Sequence, residues 1–247
     1  MKNFLREKIK GFLGLTAAQN SQKNARIVMN DLQSLHLINQ HFPIDHYFPL
    51  TSFSINPTTV LHVINDTLIN KRKKIVELGS GFSTLVIASF LRKADAEIQF
   101  ISIEHDGHWL EQVQKMLNRN DLTNYVKLVH VPLRERQIDN KLKIWYDTEI
   151  IDSVFASTID KIDLLLVDGP PAYLDLKIRE SALPAFIKHM AGSFSVFLDD
   201  TNRNSESMIA SVWAAKFNIK ATFYLRYTCL STDAGFVSDP ISLVDVF

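Results

Sequence analysis

The segment KIVELGSGFSTLVIA, from Lys74 to Ala88, joins an apolar run to a glycine turn and then to an apolar pattern of helical spacing. Its first part reads as a buried strand and its last as an amphipathic helix. Gly79 and Gly81 remove side chains where the backbone turns tightly and approaches a ligand. The helix that follows offers free N–H groups at its start, a natural seat for a nucleotide-like group. The dinucleotide fingerprint G-x-G-x-x-G is incomplete here, because Thr84 stands where the third glycine would be. Glu77, two residues before Gly79, would also repel a pyrophosphate.

A carboxylate at Glu77 suits a cofactor carrying positive charge, such as the ammonium of a methionine moiety. On the residues Glu77-Leu-Gly79-Ser-Gly81, an E-x-G-x-G pattern, the chain resembles the class I S-adenosylmethionine-dependent methyltransferases. The resemblance implies a Rossmann-like α/β fold: a doubly wound, mostly parallel seven-stranded sheet with an antiparallel last strand. It implies S-adenosyl-L-methionine lying along Glu77, Gly79, Ser80, Gly81 and Ser83. The plainer alternative for such a loop is a strand, turn and helix with no ligand.

At 247 residues the chain suits one α/β domain with an extra segment, or at most two small domains. Hydrophobic residues make up 46%, enough for a sizeable core, and 27 basic residues balance 27 acidic ones. That balance gives no strong pull toward nucleic acid, so the expected partner is a small-molecule or sugar acceptor rather than a polynucleotide. The run Lys71-Arg72-Lys73-Lys74 reads as cations near a helix C-terminus. The one cysteine, Cys229, excludes an intramolecular disulfide and a Cys/His zinc pattern, and agrees with a reducing, cytoplasmic compartment. No apolar run has the length of a transmembrane helix. The basic, amphipathic start MKNFLREKIKGFLGL reads as a frayed or packed terminal helix, with peripheral membrane contact or docking on a partner as its alternatives. Oligomeric state is not legible.

Residues 1–56 read as a helical N-terminal extension and 57–247 as the methyltransferase-like domain. Arg26 to Gln40 carries Ile27, Leu32, Leu35 and Ile38 at near-helical spacing, and Thr58–Asn70 forms a second amphipathic helix. Strands are expected at Ile75–Leu78, Ile98–Ile103, Val126–His130, Ile162–Val167, Ser195–Leu198 and Ala221–Arg226. Helices are expected at Ser83–Arg92, Gly107–Asn118, Leu174–His189 and Ser205–Phe217. The alternation argues for a parallel sheet with helices on both faces. The resemblance would make Gly235–Phe247 the antiparallel last strand.

Ligands of open α/β sheets bind beyond the carboxyl ends of the strands. Glu104 ends the second strand, and in the resembled family an acid there accepts both ribose hydroxyls; His105 and Asp106 stand beside it. Asp106 also reads as a helix cap. Val131 and Leu133 are weaker candidates beside the adenine, and Trp145 and Tyr146 either wall the pocket from a loop or belong to the core. Asp168, at the end of the fourth strand and before Gly-Pro-Pro, would face the methyl acceptor as a catalytic base. Asp199 and Asp200 end the fifth strand.

Three carboxylates at one sheet edge repel unless protonated or neutralised by a cation, and oxygen ligands favour Mg²⁺, Ca²⁺ or Mn²⁺. Asp168, Asp199 and Asp200 thus resemble the metal-dependent O-methyltransferases acting on catechols and sugars, which implies Mg²⁺. The alternatives are that Asp200 caps a helix, Asp199 pairs with Arg203 and Asp168 acts alone. Asp168-Gly-Pro-Pro, Arg179-x-x-Ala-Leu-Pro184, Asp199-Asp200 and Arg203-x-x-Glu206 also resemble a broad group of little-characterised bacterial methyltransferase-like proteins. Arg179 would hold an anionic substrate group or pair with an acid such as Asp175. The aromatics Tyr47, Phe48 and Phe53 are candidates to cover the cofactor. The expected reaction is O-methylation of a small-molecule or sugar hydroxyl. N-methyl or aminopropyl transfer, an NAD enzyme, and a non-catalytic binding protein of the same fold are its alternatives.

Overall fold

The computed structural model describes residues 2–94, 97–138, 141–158, 161–232 and 235–242. The chain opens with α1 (Lys2–His41) and α2 (Pro57–Ile69). Asn56 caps α2 by accepting from the Thr59 amide at 3.1 Å, and Pro57 sits in the first turn, where no N–H is needed. Then follow β1 (Lys74–Leu78), α3 (Phe82–Ala94), β2 (Gln99–Glu104), α4 (Gly107–Arg119) and β3 (Lys127–His130). A hairpin, β4 (Leu133–Ile138) with β5 (Lys141–Tyr146), leads to α5 (Thr148–Thr158) and β6 (Ile162–Val167). The short α6 (Ala182–Phe186) lies between 3₁₀ turns at Ile178–Ser181 and Ile187–His189, and β7 (Met190–Leu198), α7 (Asn204–Phe217), β8 (Lys220–Phe223) and β9 (Thr228–Ser231) complete the order.

Seven strands form one sheet in the order β3-β2-β1-β6-β7-β9-β8. The pairs among the first five are parallel, and β9 runs antiparallel to both β7 and β8. Alternate strand residues feed two cores. Ile75, Phe100, Leu164, Leu166 and Phe197 pack with residues of α1 to α4. Val76, Leu78, Ile101, Leu165 and Leu198 pack with Trp145, Phe155, Phe186 and Trp213 on the other face. The period of two in the pleat sets this division. Helices thus cover both faces, as a Rossmann-like sheet requires.

The N-terminal helix is anchored to α2. Thr58 Oγ1 donates to Asp31 at 2.6 Å, and Ile38 is fully buried in the core it shares with α2, α3 and α4. Leu32, expected on the packed stripe, is instead exposed. No helix among the described residues is long and apolar enough to cross a membrane.

Four expectations are corrected. Among the described residues the last strand is β9, antiparallel to β7, and it precedes Gly235. Residues 235–242 form no strand, and 243–247 lie outside the described residues. The run read as one strand, Ala221–Arg226, breaks at Phe223, where the Tyr224 amide donates to the Tyr227 carbonyl at 2.8 Å and closes a hairpin. Leu174–His189 is not one helix but the 3₁₀–α6–3₁₀ succession. Trp145 and Tyr146 belong to β5 rather than a loop, and both are fully buried.

Candidate active site

The carboxyl ends of β1, β2, β6 and β7 open on one cleft of about 700 Å³. Its floor is the turn between β1 and α3. Gly79 adopts φ +95°, a conformation that side chains resist, and its amide donates to the Ile103 carbonyl at 2.8 Å. A Cβ on Gly79 would lie 2.8 Å from the Gly169 amide nitrogen, so the close approach that demands glycine is to the turn after β6. Gly81 differs: a Cβ there meets nothing within 4 Å, and the residue lines the open cleft.

Glu77 corrects the sequence reading. It shares the inward face of β1 with Ile75 and is fully buried. Hydroxyls of Ser83, Thr84 and Ser102 donate to its carboxylate. Burial pushes its carboxyl up to about 7, against those hydroxyls. Neither Glu77 nor Ser83 is on the cleft wall; together they tie α3 to β1 beneath the loop.

Glu104, at the end of β2, does line the cleft. Its Oε1 accepts the amides of His105 (2.7 Å) and Asp106 (2.8 Å), and its Oε2 accepts the Ser80 amide at 3.1 Å. His105 Nδ1 lies 2.6 Å from Oε1. Asp106 caps α4 through the His108 and Trp109 amides, which hold its carboxyl below the usual range. Trp109, missed in the sequence, lines the cleft and donates its indole N–H to the Ser80 carbonyl at 2.8 Å. An amide-fixed carboxylate beside an open glycine loop and an indole wall fits a nucleoside with a vicinal diol. Val131 is fully buried and Leu133 lies off the cleft.

The far end of the cleft gathers the three predicted acids. One oxygen from each of Asp168, Asp199 and Asp200 comes within 4.8 Å of the others. Asp200 adopts φ +62°, in the left-handed region. Burial chiefly pushes Asp168 up to about 7, opposed by Arg179, and raises Asp199 well above the carboxylate range. Arginines already occupy the cluster. Arg179, 4% exposed, reaches Asp200 Oδ2 at 3.3 Å and Asp168 Oδ1 at 3.5 Å, rather than Asp175. Arg203 pairs with Asp200, not Asp199, at 3.0 Å, and Arg226 reaches the other Asp200 oxygen at 3.5 Å. Asp199 Oδ1 accepts from Asn56 at 3.3 Å and Thr59 at 3.0 Å. Both oxygens of Asp200 and one each of Asp168 and Asp199 are therefore engaged, and the donor set fits a divalent ion poorly.

The rim is aromatic. Phe53 and Tyr173 meet edge to face with centroids 6.1 Å apart, across the cleft mouth, and both are largely exposed. Phe48 packs instead in the core against Phe82 and Trp109, and Tyr47 is exposed and not part of the cleft wall.

Residues 76–201 match a family model described as a methyltransferase domain. A comparison with curated proteins finds no match. Among solved structures, the O-methyltransferase from Bacillus cereus in complex with SAH superposes with a TM-score of 0.54, at 11% identity, over 82% of this chain and 89% of that one. The O-methyltransferase TomG from Streptomyces achromogenes, involved in tomaymycin synthesis and in complex with SAM, gives 0.51 at 12%, over 82% and 88%. The N-terminal domain of human METTL16 in complex with SAH gives 0.51 at 14%, over 82% and 80%. At such identities the likeness shows a shared fold.

Proposed function

This chain belongs to the class I S-adenosylmethionine-dependent methyltransferases, and on that premise we propose that it methylates a hydroxyl of a small molecule or sugar, with Asp168 as the base. The observation that carries this reading is the place of Asp168: its carboxylate lines the same cleft as Gly81 and Glu104, with its pKa brought to about 7. A base so tuned is matched to taking a hydroxyl proton near neutral pH.

Glu104 is assigned the ribose diol, since its amide bonds fix it without closing the cleft. Ser80, Gly81 and His105 are assigned to the rest of the cofactor wall. Gly79, Glu77 and Ser83 act one step removed, by shaping the loop. Bound S-adenosylmethionine supplies an electrophilic methyl group. Asp168 accepts the acceptor's proton, and the rim pair Phe53 and Tyr173 limits water at the cleft mouth. No step passes through a divalent ion.

The test is methyl transfer from S-adenosylmethionine labelled in the methyl group to hydroxyl-bearing small molecules and sugars. Asp168→Asn should hold S-adenosylhomocysteine as tightly as the wild type while transfer falls by about 10²–10⁴-fold. Undiminished transfer by that variant would overturn the assignment of the base.

A further inference from the structure

We infer that Arg179 brings to Asp168, Asp199 and Asp200 the positive charge a divalent cation would otherwise supply, and that this acid cluster holds no metal. The inference rests on the reading of the cleft as a methyl-transfer site and deepens it by naming what balances the acids.

The geometry of Arg179 leaves little room for another role. Its Nε donates to the Pro170 carbonyl at 3.2 Å, and Nη1 to the Asp199 carbonyl at 3.4 Å and to Asp200 Oδ2. Its Nη2 donates to the Asp168 carbonyl and faces Asp168 Oδ1. Each guanidinium nitrogen is thus committed, and the planar fork joins the turn after β6 to the turn after β7. An ion drawing on all three acids must take an oxygen of Asp200, where guanidinium groups stand on both. It would have to displace a buried cation and leave main-chain acceptors unpaired. Three guanidinium groups, from Arg179, Arg203 and Arg226, stand on Asp200, and Arg179 also faces Asp168, so positive charge reaches these acids without a metal. Arg179 is accordingly a positioning residue: it holds the Asp168 carboxylate toward the cleft and fixes the Gly169–Tyr173 loop beside it.

The experiment reads Mn²⁺ binding by electron paramagnetic resonance on the full chain, with S-adenosylhomocysteine titrated calorimetrically into the same samples. The wild type is expected to bind no stoichiometric Mn²⁺, and its S-adenosylhomocysteine affinity should be unchanged by a chelator. In a chain whose Arg203→Gln and Arg226→Gln changes free both Asp200 oxygens, Arg179→Gln is expected to add one Mn²⁺ site per chain, lost again when Asp199→Asn is added, whereas Arg179→Lys, which keeps the charge, stays without the ion. A purely structural arginine would not produce that contrast. Stoichiometric Mn²⁺ on the wild type that Asp200→Asn abolishes would overturn the inference. A folded Arg179→Gln chain in that background that takes no Mn²⁺ would also overturn it. Absence of S-adenosylhomocysteine binding in the wild type would instead strike the cofactor reading, whatever the Mn²⁺ result.

Discussion

Gly79 and Gly169 meet backbone to backbone: a Cβ on Gly169 would lie 2.9 Å from the Gly79 Cα. The Leu78 carbonyl accepts both the Gly169 amide at 2.6 Å and the Asp168 amide at 3.0 Å. The turn after β1, which would cradle the cofactor, and the turn after β6, which carries the acid, are thereby held at one separation. Gly169→Ala should force the turns apart, at a cost of about 1–3 kcal/mol as for an overpacked core site. Gly81→Ala meets open space and should change stability by less than about 0.5 kcal/mol, while obstructing the cleft. Urea unfolding and S-adenosylhomocysteine titration of both variants check the contrast. Equal stability losses would show that the two turns are not so coupled.

The pH dependence of stability should have two opposing parts. His62 is 1% exposed, bonded to the Tyr227 hydroxyl at 2.8 Å and to Ser238 at 3.0 Å, and burial pushes its imidazole down to about 4. The unfolded chain takes up that proton near the ordinary value of about 6.5. Its contribution is therefore complete above 6.5 and is lost as pH falls through about 4, with a ceiling of about 3 kcal/mol. Glu77 has the opposite sign. Its folded value of about 7 exceeds the ordinary 4.5, so its contribution is present below 4.5 and is lost as pH rises through 7. Urea midpoints from pH 4 to 8 should show His62→Gln flattening the acid side and Glu77→Gln the neutral side. Unchanged slopes in both would contradict these environments.

Methyl transfer should rise with pH through about 7 and level off above it, because Asp168 must be ionised to take a proton. Arg179 opposes the burial that raises Asp168, so Arg179→Gln should move the rising limb to higher pH. A pH–rate profile of the two proteins measures this. A limb that stays in place would separate Arg179 from the Asp168 carboxylate.

Parts of this architecture were legible for physical reasons. Strands β1, β2, β6 and β7 lie inside the sheet, so they read as nearly unbroken apolar runs; β2, β6 and β7 lead into acids and β1 into Gly79. Asp106 announced itself as a cap by its place before a helical pattern. Other parts carried no such mark. The β8–β9 turn is Leu225-Arg226, without glycine, proline or asparagine, and so reads as continued strand. The charges in Leu133-Arg-Glu-Arg-Gln-Ile138 hide β4. The burial of Glu77 is readable in its spacing: it is two residues from Ile75, hence on the same side of β1, toward α3. Arg179 was recognised, but its partners Asp168 and Asp200 are met only through the fold, since spacing along the chain says nothing of three loops converging.

The most direct test of the cofactor site is calorimetric titration of the folded protein with S-adenosylhomocysteine, with Glu104→Ala and NAD as controls. We expect one site per chain on the wild type, and none for NAD. In Glu104→Ala, loss of hydrogen bonds to a charged group should weaken binding by about 1.5–3 kcal/mol, roughly 10–150-fold. No binding of S-adenosylhomocysteine by the folded wild-type chain, or equal binding by Glu104→Ala, would contradict the site as assigned.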